Sequence, residues 1–144
     1  MDLRKRYERT QHQRLYRPLI RADYFNDSLD SVFGVINKQV LVHKLQEHFG
    51  NGGEDDSIEW YALRNAVYAS GCKIHLSKMN QPQSFEHAQY EAWKYFENAL
   101  SVHTELIYMR SGLMAIQALI TMVRHVSQSF TRTLTIGRLS SPKA

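Results

Sequence analysis

The sequence predicts an all-α fold, an array of about five helices, and three observations predict it. Apolar residues recur at steps of three and four along most of the chain, the period that gathers side chains on one helical face. Those stretches are separated by Gly34, by the loop at 50–56 and by a polar connection at 73–83 that contains Pro82. No convincing strand alternation interrupts them, and no internal repeat is visible. With 43% apolar and 11% aromatic side chains in 144 residues, the chain can bury one core.

Residues 1–17 are polar and rich in Arg and Gln and read as a basic, partly disordered lead-in closed by Pro18. The helical region is expected over 18–130. In it, Tyr24, Phe25, Leu29, Val32 and Phe33 form a first stripe that Gly34 ends or bends. Asn37 is placed to cap a second helix over 38–49, with Leu41, Leu45 and Phe49 four apart and Gly50 just past its end. The loop Gly50 to Asp56 carries three glycines and three adjacent acids, which favour neither helix nor burial.

Asp56 and Glu59 have capping-box spacing at the start of a third helix, with Ser57 competing as the cap. This helix is expected to run to about Gly71, and its strip of Ala62, Ala66 and Ala69, flanked by Leu63 and Val67, lets another helix come close. A fourth helix begins near Ser84, with Phe85, Ala88, Ala92, Phe96 and Ala99 on one face and Leu106 and Ile107 near its end. It is expected to be the longest. A fifth runs from Leu113 to Val126 with apolar residues almost all round it, the pattern of a central, buried element in which Gln117 needs a partner. Residues 131–144 show no helical stripe and are expected to form a loose tail.

The net charge of +4 is unevenly placed. Residues 1–21 carry seven basic side chains against two acidic ones, and 22–125 carry eight against twelve. A nucleic-acid contact would therefore fall on Arg4, Lys5, Arg6, Arg9 and Arg14, which can neutralise phosphates or serve as an import signal but do not by themselves read bases. The apolar runs are shorter than the roughly 18 residues a spanning helix needs, so no membrane is expected.

Chemistry-bearing constellations are sparse. The single Cys72 excludes an internal disulfide and reads as a small buried hydrophobe. His43 and Glu47, one turn apart, and Cys72 and His75, half a zinc-finger spacing, each supply two ligands where a metal site needs more. No nucleophile elbow, zinc-protease helix or phosphate-binding loop is present, and the acids after Gly53 would repel a phosphate. Neither an enzyme nor a cofactor is expected.

The runs Ala62-Leu63-Arg64-Asn65-Ala66-Val67-Tyr68-Ala69-Ser70-Gly71-Cys72, Tyr95-Phe96-Glu97-Asn98-Ala99-Leu100 and Ser111-Gly112-Leu113-Met114-Ala115-Ile116-Gln117-Ala118-Leu119-Ile120 follow one another in an order that resembles the middle homology region of fungal zinc-cluster transcription factors. Tyr24-Phe25 and Leu29 to Ile36 are similar to that region's opening helix. The resemblance covers roughly 16–130, the N-terminal part of the family's region. It implies a nuclear regulatory segment, an incomplete portion of a larger helical domain, acting on transcription through protein partners, whether a homologous chain or the transcription machinery. The family's DNA-binding module uses six cysteines around two zinc ions, and one cysteine offers it no counterpart, so specific DNA binding by this chain alone is not expected. If helices that follow in the family are missing, the fifth helix keeps an uncovered apolar surface. The alternative reading is a sensor whose pocket, lined by Tyr68, Trp93 and Phe96, takes an apolar metabolite.

Overall fold

The computed structural model describes residues 21, 23–26, 34–52, 56–79, 84–108 and 112–139. Every regular element among them is helical, and the fold is all-α. A helical turn at 23–26 precedes α1 (Lys38–Gly50), α2 (Ile58–Ser77), α3 (Ser84–Leu100), α4 (His103–Tyr108) and α5 (Leu113–Leu139). The basic lead-in lies outside the described residues.

Local signals set most of the boundaries. Gly34 sits in the left-handed region at φ 57°, a conformation that costs glycine nothing and breaks the chain before α1. Asn37 caps α1, its side-chain oxygen accepting from the N–H groups of Gln39 at 2.9 Å and Val40 at 3.2 Å. Leu41 and Leu45 are buried as expected, but His48 takes the third core position and Phe49 is 49% exposed. Steps of four and three follow the 3.6-residue period more closely than two steps of four. Gly50 is the last residue of α1 and the capping residue is Asn51, whose N–H bonds to the Glu47 carbonyl. Ser57 caps α2, its hydroxyl accepting from the Trp60 N–H at 3.3 Å, while the Asp56 carboxylate is turned to Arg64.

The central element is α2, not the last helix. It is buried continuously from Trp60 to Lys73, and both α3 and α5 pack along it. Ala62, Ala66 and Ala69 are fully buried; Ala88, Ala92 and Ala99 of α3 and Ala115 and Ala118 of α5 are at most 1% exposed. Small side chains on all three helices permit interaxial distances toward the short end of the usual range of roughly 8–10 Å. Larger side chains complete the core, among them Leu63, Val67, Phe96, Val102 and Leu106.

Three further expectations are corrected. Gly71 does not end α2, which continues to Ser77; burial on neighbouring helices outweighs the roughly 1 kcal/mol that a glycine costs a helix interior. The fourth predicted helix is two, because Ser101 and His103 turn their side chains onto the carbonyls of Asn98 and Leu100 and so compete with helical continuation. The last helix does not stop near 130: its backbone is helical to Leu139, making it the longest, with Ser127, Ser129 and Thr131 each donating to the carbonyl four residues back. Helix propagation needs no apolar stripe once a packed turn has nucleated it.

The close approach around α2 has a measurable consequence. Ala66→Leu should lower stability in urea unfolding followed by circular dichroism by about 1–3 kcal/mol, because added methylenes have no space between α2 and its neighbours. Val40→Ala, on the exposed side of α1, should change it by less than about 0.5 kcal/mol. Equal effects of the two would refute α2 as the close-packed hub.

Candidate functional site

Polar side chains on α2 are buried in the middle of the fold, and each is tied to a different neighbour. Arg64, 1% exposed, donates from both terminal nitrogens to the Asp56 carboxylate, at 3.1 Å to Oδ1 and 2.9 Å to Oδ2. Its guanidinium also meets the His48 ring on α1 and lies over the Trp60 and Tyr61 rings. This fork clasps α1 and the start of α2 together. Asn65 donates to the Tyr61 carbonyl at 2.9 Å and accepts from Asn98 of α3 at 3.3 Å. Lys73, 4% exposed, donates to the Ser129 hydroxyl of α5 at 2.6 Å. Asp23 bonds His75 at 2.6 Å and Lys78 at 2.7 Å, fixing the first helical turn to the end of α2. Burial pushes the Asp23 carboxyl up, but the hydrogen bonds and charges of Lys78 and His75 together outweigh it and hold the group below its usual pKa.

His125 on α5 belongs to the same polar layer. Its ring stacks on Phe96 at 4.7 Å between centroids, and Nδ1 lies 3.3 Å from the Ser70 hydroxyl. Burial, assisted by the charge of Lys73, lowers its pKa from 6.5 to about 4, so the imidazole is neutral at physiological pH. No periodic signal marks this layer: Arg64, Asn65, Ser70 and Lys73 share no single helical face, and their partners come from four separate segments.

The two metal-ligand pairs are brought no closer to a site. His43 and Glu47 contact each other at 3.5 Å with both side chains largely exposed, and no group of three candidate ligands occurs among the described residues. Cys72 is buried, and that burial, with Glu91 adding to it and Lys94 opposing, pushes its thiol up to about 12, a poor nucleophile. Of the three aromatics proposed to line a pocket, Tyr68 is buried against Tyr95 at 5.7 Å and Phe96 is buried on His125. Trp93 touches Phe96 at 5.6 Å but is 53% exposed, so its ring belongs to the outer surface of α3. Gln117 finds its partner in the Val35 carbonyl, at 2.8 Å. No described helix is long and apolar enough to cross a membrane.

The most prominent surface feature is the outer side of α5. Ala115, Ala118, Thr121, Met122 and His125 face the core, whereas Leu113, Ile116, Ile120, Val123 and Phe130 are exposed on the opposite side. The expectation of a helix buried all round therefore gives way to one with two unlike apolar faces, small toward α2 and large toward solvent. A continuous apolar band of this kind is unlike the singly scattered apolar side chains of an ordinary surface.

Two similar curated proteins are each named ABC-transporter-regulating transcription factor. One, from Aspergillus fumigatus, is 26% identical over 117 residues, which is 76% of this chain and 13% of that protein. The other, from Aspergillus oryzae, is 26% identical over 100 residues, 69% of this chain and 11% of that protein. The chain thus corresponds to a small part of the length of the relatives it matches. No family profile and no solved structure matches it. Both relatives are, by name, transcription regulators of fungi.

The buried imidazole makes stability depend on pH in a defined direction. His125 binds a proton in the unfolded chain below about 6.5 and in the folded chain only below about 4, so stability is full above 6.5 and declines as pH falls through that window. The loss attributable to this residue should approach ~3 kcal/mol by pH 4. In urea unfolding at a series of pH values, the difference between the native chain and His125→Gln should carry that slope; parallel profiles would refute a neutral buried His125.

Proposed function

We propose that this chain is a regulatory segment of a fungal transcription factor, corresponding to the start of the middle homology region of the zinc-cluster family, and that it modulates transcription in the nucleus by contacting other proteins. The observation that carries the reading is the similarity to two regulators over most of this chain. The four motif runs give it support in the same order along the sequence, and the all-α architecture suits it. The uncovered band on α5 is the surface through which the contact is made. In this reading the chain performs no catalysis and holds no cofactor, and specific DNA binding is left to another module. Arg4, Lys5, Arg6, Arg9 and Arg14 supply positive charge for nuclear import or for non-specific phosphate contact.

The test is a reporter assay in a filamentous fungus with residues 1–144 fused to an unrelated sequence-specific DNA-binding domain. Reporter output should rise or fall relative to that DNA-binding domain alone, and Ile116→Asp with Phe130→Asp should return it to the baseline. Output that never departs from the baseline, with the fusion shown to be folded and nuclear, would overturn the reading.

A further inference from the structure

The outer face of α5 has a spacing that defines its partner more closely than exposure alone. Its apolar residues fall at 113, 116, 120, 123 and 130, with Ser127 at the one intervening place. Those steps are three, four, three, four and three, the heptad rhythm of a seam that packs one helix against another by inserting side chains into the holes between four facing residues. An ordinary exposed apolar side chain needs no explanation, but five in strict register over 18 residues do. Leu113 is 71% exposed, Ile116 52%, Ile120 39%, Val123 66% and Phe130 67%.

We propose that this seam is the interface of a homodimer, in which α5 of one chain packs antiparallel on α5 of a second copy about a two-fold axis between Thr121 and Met122. The inference rests on the previous reading only in naming the same face; the pairing itself follows from the register. An antiparallel seam joins positions whose numbers have a constant sum, and centring it between 121 and 122 makes every layer complementary in size. Leu113 then meets Phe130 of the second copy, Ile116 meets Ser127, and Ile120 meets Val123, each layer repeated by symmetry. The small Ser127 faces the large Ile116, and its hydroxyl is already satisfied by the Val123 carbonyl at 2.9 Å, so burying it leaves no unpaired donor. A parallel pairing would instead set Ser127 on Ser127 and Phe130 on Phe130, leaving one layer empty and one crowded.

Charge and area agree with the antiparallel arrangement. α5 carries Arg124, Arg132 and Arg138 and no acidic residue, so a parallel pair would hold like charges level with one another. Reversing one helix offsets the two Arg124 side chains by five residues, roughly 7.5 Å along the axis. The seam exposes on the order of 600 Å² of apolar surface per chain, at or above the largest patch of an ordinary monomer, and with the flanking Gln117 and Val126 approaches the roughly 800 Å² a side of a stable interface. Because the same patch serves both chains, the contact closes at two copies and does not propagate.

The experiment is sedimentation velocity with light scattering on residues 1–144, together with site-directed cross-linking. The native chain should have twice its 16.8 kDa mass. Ile120→Glu with Val123→Glu, both solvent-facing in the single chain, should yield a monomer of unchanged helicity, with self-association weakened at least ~100-fold. In mild oxidation, Leu113→Cys alone and Phe130→Cys alone should cross-link no more than the native chain, whose Cys72 is buried, whereas their mixture should form a disulfide-linked pair. A native chain that stays monomeric at all concentrations, a dimer indifferent to the double substitution, or Leu113→Cys that cross-links to itself would each overturn the proposal. A monomer that still changes reporter output would sink the dimer and leave the regulatory reading standing; a dimer without reporter output would do the reverse.

Discussion

Fourteen consecutive residues of α2, from Trp60 to Lys73, lie in the interior, and a helix covered on every side imposes a condition on its polar side chains. Each must find a partner inside the fold or leave a desolvated group unpaired, at a cost of about 1–3 kcal/mol for a neutral group and more for a charge. The arrangement of the other elements answers that condition. α1 and the loop that follows it deliver His48 and Asp56 to Arg64, α3 delivers Asn98 to Asn65, and α5 delivers His125 to Ser70 and Ser129 to Lys73. The alanine strip sets how near the neighbouring helices come, and the polar partners set where along α2 each of them stops.

Division of labour between the two kinds of contact follows from their energetics. Small-on-small packing is forgiving about register, since one alanine resembles the next as a helix slides along it. A buried charge is unforgiving: truncating one partner of a buried ion pair costs about 3–5 kcal/mol, although the intact pair adds little net stability over a hydrophobic replacement. The Arg64 fork and the Lys73 bond thus act as register marks near opposite ends of the buried stretch, separated by nine positions of α2. A shift by one turn would bring neither end into hydrogen-bonding reach, so the fold is specified by the polar layer more than it is stabilised by it.

This explains what could be read in the sequence and what could not. The all-α class, the Asn37 cap, the break at Gly34 and the alanine strip are local features, and each has a local signature: a capping side chain, a glycine, a spacing of three and four. Which helix sits at the centre is not local. The segment from Leu113 to Val126 has the more apolar composition, yet Val123 and Ile116 face solvent while Arg64 and Lys73 are buried. Composition reports how much apolar surface a helix has, and position is decided by how closely its neighbours can approach. Alanines 62, 66 and 69 confer that approach on α2. The polar layer was illegible for the same reason, because Asp56, Asn98, His125 and Ser129 lie up to dozens of residues from their partners and no spacing rule joins them. The pocket reading of Tyr68, Trp93 and Phe96 followed aromatic type alone; spacing of three between Trp93 and Phe96 puts them on adjoining faces, and only Phe96 turns inward.

The two faces of α5 are coupled by that same core. Rotation of α5 about its axis is fixed by Ala115 and Ala118 lying close to α2, by His125 stacked on Phe96, and by the Ser129 bond to Lys73. With the inner face pinned at four levels, the outer side chains are presented in a fixed row instead of sampling orientations, and the ordering entropy that association normally costs has largely been met by folding. Neutral His125 is one of the pins. Protonating it would put a second cation beside Lys73 in the interior, loosening the inner face and, through it, the alignment of Ile116, Ile120 and Val123 outside. Core and surface are in this sense one structure: the polar residues that α2 must satisfy are the ones that hold the exposed band of α5 in register.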